Sequence, residues 1–188
     1  ADMCVSQPLG SGTCGCPGGD ESLPSYRHVC EHVGSHDALT RVVEAYPKYK
    51  DSLRPNATKT IAVISDDDSS LGAAQFLQQM SALDPLFQKL KFDAIVSSAD
   101  PLDFGSKCFL LSAAEGKVYQ ELVSQTGGVM GDLCEQKFDA VFQDMASGVI
   151  NDSQISCEYE IPVPPDGEVI NFDKVNVQYV AHPNAQPQ

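Results

Sequence analysis

An α/β fold, a parallel sheet with helices packed on it, is predicted because apolar runs and amphipathic helical stretches alternate along this chain. Three observations carry that prediction. Thr60–Ser65 (TIAVIS) is a short apolar run that ends abruptly in charge. Phe92–Ser98 (FDAIVSS) is a second such run. Around them, apolar residues recur at helical spacing, and one such stretch closes on Gly127-Gly128, an ordinary helix stop.

Taken in order, residues 1–25 are rich in Gly, Ser, Pro and Cys and read as loop stapled by disulfides, within an N-terminal segment of residues 1–32. A helix begins at Ser35, because Leu39, Val42, Val43 and Tyr46 mark one buried face. Pro47 ends or kinks it. The unbroken apolar run of Thr60–Ser65 predicts a strand buried on both faces. Ser69 or Ser70 caps the next helix, with Leu71, Ala74, Leu77 and Met80 as its inner stripe. Gly116–Gln125 is a further helix and Val129–Leu133 a short strand. Lys137–Ile150 is the last helix, with Phe138, Val141, Phe142, Met145 and Val149 facing inward. The α/β segment therefore covers residues 33–150. From residue 151 to 188, ISCEYEIPVPP and KVNVQYVAHP read as strands of a β-rich C-terminal extension.

The chain has 188 residues, 42% of them hydrophobic, which is enough for a real core. No apolar run approaches the roughly 18 residues of a membrane span. The net charge of −14 argues against nucleic acid, which needs a basic face, and suits a secreted protein or a binder of cations. Seven cysteines are dispersed without paired C-x-x-C sets. That usage points to disulfides and an oxidising compartment, hence a secreted or cell-surface protein. Seven is odd, so one cysteine is free or pairs outside this chain.

Asp66, Asp67 and Asp68 follow the first apolar run directly. In open α/β sheets ligands sit at the carboxyl ends of strands, and clustered oxygens there suit a hard cation such as Mg²⁺ or Ca²⁺. The competing reading is that one aspartate caps the following helix and the others are solvated. HVCEH (His28 to His32) matches H-x-x-E-H, the inverted zinc-protease motif, but Cys30 and Gly34 oppose the helix that motif requires. No G-x-S-x-G elbow supports a serine hydrolase. Asn56-Ala57-Thr58 and Asn151-Asp152-Ser153 fit the N-glycosylation pattern.

The ordered set VGSHDALTRVVEAY, a strand ending in SDD, the strand FDAIVSS, and ELVSQTGGVMGDLCEQKFDAVFQDM resembles the von Willebrand factor type A domain, in its secreted or surface bacterial versions. The resemblance implies a Rossmann-like sandwich with a metal-ion-dependent adhesion site at the top of the sheet. That site takes a D-x-S-x-S run after the first strand, a Thr from a second loop and an Asp after a later strand. By position, Ser35 supplies the second-loop hydroxyl and Asp66 the strand-end carboxylate. Asp67 stands where the family more often has Gly and faces or supports the cation, which would be Mg²⁺, Ca²⁺ or Mn²⁺. No D-x-S-x-S occurs in the chain; the nearest approach is Asp67-Asp68-Ser69-Ser70-Leu71. The implied picture is the second half of such a domain, lacking its first strands, with a companion segment supplying them. The resemblance implies non-catalytic adhesion, with a partner protein's carboxylate completing the cation's shell. The alternative is a structural subunit of an extracellular assembly with a degenerate cation site. Cys108 and Cys134 flank the TGG helix, and a disulfide between them would close a loop of about 25 residues, contributing about 3 kcal/mol.

Overall fold

The computed structural model describes residues 5–152, apart from Pro17, Pro24 and Asn56, together with Asn171. The chain divides into two compact units, Ala1–Gln154 and Ile155–Gln188. The strands expected in the C-terminal extension lie outside the described residues, as does Asn56.

Where the sequence reads as loop, β1 (Glu21–Leu23) and β2 (Tyr26–His28) pair antiparallel, with Leu23 opposite Tyr26. A disulfide between Cys16 and Cys30 ties the flanks of this hairpin together. Cys14 is disulfide-bonded as well, while Cys4 and Cys157 lie outside the described residues.

The main sheet contains β3 (Thr60–Ser65), β4 (Lys91–Val96) and β5 (Met130–Asp132), all parallel, in the order β3-β4-β5. Helices α1 (Ala38–Glu44), α3 (Ala73–Leu83) and α4 (Lys117–Thr126) bring Leu39, Phe76, Met80 and Leu122 into one core with Phe92, Ala94 and Val96 of β4. Phe92 is its centre: Phe76 meets it edge-on at 5.9 Å and Tyr119 stacks on it at 6.3 Å. Pro47 divides the expected first helix, since it cannot donate to a preceding turn but fits the start of a new one. A short helix α2 (Tyr46–Tyr49) therefore follows α1. The Tyr46 hydroxyl donates to Asp84 at 2.6 Å, bracing α2 against the end of α3. That bond, with the Leu86 amide, holds the Asp84 carboxyl below its ordinary value. This brace is intact above about pH 4 and is lost as pH falls through Asp84's lowered pKa.

Two expectations about burial are corrected. Strand β4, not β3, is buried on both faces: Phe92 through Val96 are all buried. On β3 only Ile61 and Val63 reach the core, and Ile64 is 63% exposed. The reason is position, because β3 is an edge strand whose outer side has no strand paired to it among the described residues. The last helix, α5 (Asp139–Asp152), lies over the other face, where Val141 packs on Gly131. Val141 and Met145 are half-buried, but Phe142 and Val149 stay exposed rather than facing inward. Val141 and Met145 lie four residues apart on one narrow stripe of the helix, and that stripe is the part that is covered.

The TGG sequence has a local explanation in three parts. The Thr126 hydroxyl accepts from the Phe92 amide at 2.9 Å and donates to the Leu122 carbonyl at 2.9 Å, joining α4 to the start of β4. Gly127 ends α4 in the left-handed region, at φ 67°. Gly128 runs so close to β4 that a Cβ there would lie 2.0 Å from the Phe92 carbonyl oxygen. Replacing Gly128 by Ala should therefore cost about 2–3 kcal/mol, because backbone must move. Gly148→Ala, in open space on α5, should instead stabilise by about 0.5–1 kcal/mol through helix propensity. Chemical denaturation of the two variants with disulfides intact checks both signs.

Candidate cation site at the strand ends

The chain leaves β3 through a tight turn. The Ser65 hydroxyl accepts from the Asp67 amide at 3.1 Å and donates to the Asp67 carbonyl at 3.0 Å. This geometry sends the three aspartate side chains in different directions.

Asp67 turns inward and is only 8% exposed. Its carboxylate accepts from the Asp68 amide at 2.9 Å and lies 3.4 Å from Nδ1 of His36. The same His36 nitrogen lies 3.1 Å from the Asp68 carbonyl oxygen. A carbonyl can only accept, so Nδ1 carries a hydrogen. The Ser70 amide donates to the His36 carbonyl at 2.9 Å. The loop that carries Ser35 is thus stitched to the aspartate turn, with Ser35 itself exposed.

Asp68 reaches across to α4, where its carboxylate accepts from the Val118 amide at 3.0 Å. It serves as an anionic cap on that helix's first turn, supplied from 50 residues earlier in the chain. The expected caps on α3 do not form. Ser69 instead accepts from the Leu71 amide at 3.1 Å, and Gly72 occupies the cap position. One aspartate does cap a helix, as the competing sequence reading held, but the helix is α4 rather than the one that follows.

Asp66 alone stays free. Its side chain is exposed and makes no hydrogen bond or ion pair with a described residue. Its backbone is nevertheless clamped, because its carbonyl accepts from the Ala113 and Ala114 amides at 2.8 and 3.1 Å. Beneath the turn sits Tyr119, fully buried, its hydroxyl facing the Ser65 and Ser69 side chains without a well-aligned hydrogen bond among the described residues. Burial first, then the Asp68 carboxylate, pushes that hydroxyl's pKa up.

The three aspartates do not converge on one point. Among the described residues, the group of His, Cys, Asp or Glu whose ligand atoms lie within 4.8 Å of one another is Cys108, Asp132 and Cys134. Its two sulfurs are joined in the disulfide expected from the sequence, and thiolates, not disulfide sulfurs, ligate metals. Asp132 already accepts from the Ser98 hydroxyl at 2.7 Å and the Cys134 amide at 2.9 Å. HVCEH is not helical: His28 ends β2, Cys30 is in a disulfide and Glu31 takes the Lys48 ammonium at 2.6 Å. The one-turn spacing of the zinc-protease motif is therefore not present.

No protein-family model, curated protein or solved structure matches this chain. No helix among the described residues is long and apolar enough to cross a membrane.

The sequence places His36 at the end of the HVCEH histidine spacing, but neither its contact with the aspartate turn nor the capping role of Asp68 is legible there. Both depend on contacts with segments distant in sequence, so no local pattern carried them. The division of labour is testable by comparing Asp68→Ala with Asp66→Ala in cation-free buffer. Loss of the α4 cap should cost about 1–2 kcal/mol, whereas Asp66→Ala should stay within about 0.5 kcal/mol of wild type. Urea unfolding midpoints of both variants give the comparison.

Proposed function

We propose that this chain is the second half of a von Willebrand factor A-like domain, an extracellular, non-catalytic binding protein whose strand ends contribute to a divalent-cation site. The observation that carries this reading is Asp66: an exposed, unengaged carboxylate on a clamped backbone, at the carboxyl end of an edge strand. The Ser35 loop lies against the same turn through His36. Ser35 and Asp66 offer oxygen donors suited to Mg²⁺, Ca²⁺ or Mn²⁺, with Asp67 supporting the turn behind them. A shell of six or more oxygens needs further donors. In this reading they come from a companion segment beside β3, from water and from a carboxylate of the partner protein. The disulfides fit an oxidising, extracellular setting.

A second reading is a structural subunit of an extracellular assembly. It is favoured by the fact that two of the three aspartates already serve the fold. Cation-dependent melting separates the two. In the binding protein, saturating Mg²⁺ or Mn²⁺ at about 100 times its dissociation constant stabilises the native state by about 2.7 kcal/mol. Asp66→Ala should abolish the rise in melting temperature, and Ser35→Ala should reduce it. Wild-type melting that ignores Mg²⁺, Mn²⁺ and Ca²⁺ alike leaves the structural subunit as the reading.

A further inference from the structure

The segment between β4 and α4 holds apolar side chains out in water. Leu102 is 78%, Phe104 85% and Leu110 72% exposed, and Leu111 stands beside them, also exposed. Single exposed apolar residues need no explanation, but a contiguous group marks an interaction surface.

This segment is built to keep its shape. The Cys108–Cys134 disulfide anchors it. The Leu110 amide donates to the Pro101 carbonyl at 3.0 Å, closing it into a compact loop. The Asp100 carboxylate accepts from the Leu102 amide and that of Asp103 from the Gly105 amide, so each fixes the turn before an exposed apolar residue or just after one. Phe104 meets Phe109 edge to face at 4.8 Å. Leu110 sits at φ 57°, a conformation that favours glycine, so the backbone holds a strained leucine in the exposed position. Rigid, pre-set apolar groups lose little freedom on binding, which is what an efficient anchor needs.

We propose that residues 99–112 form a preformed docking prong for a protein partner that offers an apolar cleft rimmed by lysine or arginine. Charge decides among occupants. Asp100 and Asp103 alternate with Leu102 and Phe104 and are exposed, so any cover that takes the apolar side chains also takes two carboxylates. Lys107, the cation within the prong, is committed to Glu135 at 2.6 Å. Lipid tails would bury the two negative charges without a counter-charge. A second copy would bring like charges together, on a chain of net charge −14. A basic rim pairs them. The contact needs no metal ion, so it goes beyond the cation reading and can hold where that one fails.

The test uses the full chain and its Leu102→Ser/Phe104→Ser/Leu110→Ser variant, immobilised side by side in EDTA. Both are exposed to the secreted proteins of the source organism. A photo-crosslinking p-benzoylphenylalanine at position 104 maps what touches the prong. The expected result is a retained protein cross-linked at a basic-rimmed apolar surface, its retention falling roughly 30-fold or more in the variant. Retention should weaken with added salt and be unchanged when Mg²⁺ replaces EDTA, which separates this contact from the cation reading. Leu110→Gly guards against misfolding, since glycine relieves the strained φ: its melting temperature should hold or rise while retention falls. Equal retention by wild type and variants, or none by wild type, overturns the proposal. So do cross-links only to another copy of this chain, or recovery on phosphatidylcholine vesicles instead of protein.

Discussion

Strand β4 is buried on both faces, and the elements around it are fixed by polar contacts to its backbone and its ends. At its start, the Phe92 amide is held by Thr126. In its middle, the buried Asp93 carboxylate accepts from the Val129 amide at 2.7 Å and so positions the entry to β5. Just past its end, the Ser97 carbonyl accepts from Gly116 and from the Gln120 side chain at 3.1 Å each, which fixes the start of α4. A strand with no solvent face leaves its polar groups no water to use, so each must find a protein partner. Those obligations determine where α4 and β5 lie. The location of Asp66 follows, because the segment entering α4 clamps its carbonyl.

The aspartate triplet shows how charge is distributed when backbone geometry permits. Three adjacent carboxylates repel if they share one space. Here Asp67 lies against His36 and an amide, Asp68 against the positive end of α4, and Asp66 in water. The mutual repulsion is relieved within the fold, without a cation. The triplet as a triplet is thus no argument for metal. Asp66 and the neighbouring loop that carries Ser35 are exposed oxygen donors left at this end of the strand.

Much of this architecture is legible in the sequence. The order of strands and helices follows from apolar periodicity, which acts locally, and the Gly127 stop follows from backbone sterics at a single residue. Pairing the two cysteines that flank the TGG helix anticipates the disulfide that anchors the prong. What periodicity misreads is which faces are covered. TIAVIS and FDAIV look equally buried as runs, yet among the described residues the second alone has strands on both sides, because burial depends on sheet position rather than composition. The hairpin of β1 and β2 is missed because three-residue strands carry too little pattern. The site is legible only as residue types at a strand end. The contacts of His36 and Asp68 join segments far apart in sequence, and neither spacing nor propensity encodes that.

The exposed side of β3 bears on whether this unit stands alone. An edge strand with no partner strand on its outer side among the described residues and an outward Ile64 is a template for further pairing, and covering one isoleucine fully is worth about 1.5–3 kcal/mol. The acidic turn that follows discourages casual association, since an incoming strand must run beside Asp66. A specific neighbour can turn that obstacle into a contact by bringing a cation or a basic group to the same place. The prong lies at the same end of the sheet, and Ala113 and Ala114, immediately after it, hold the Asp66 carbonyl. The outer edge of β3, the Asp66 carboxylate and the apolar prong are therefore mechanically continuous. A partner engaging one of them meets a backbone already fixed by the other two, and association at this end would add contacts without first ordering a loop.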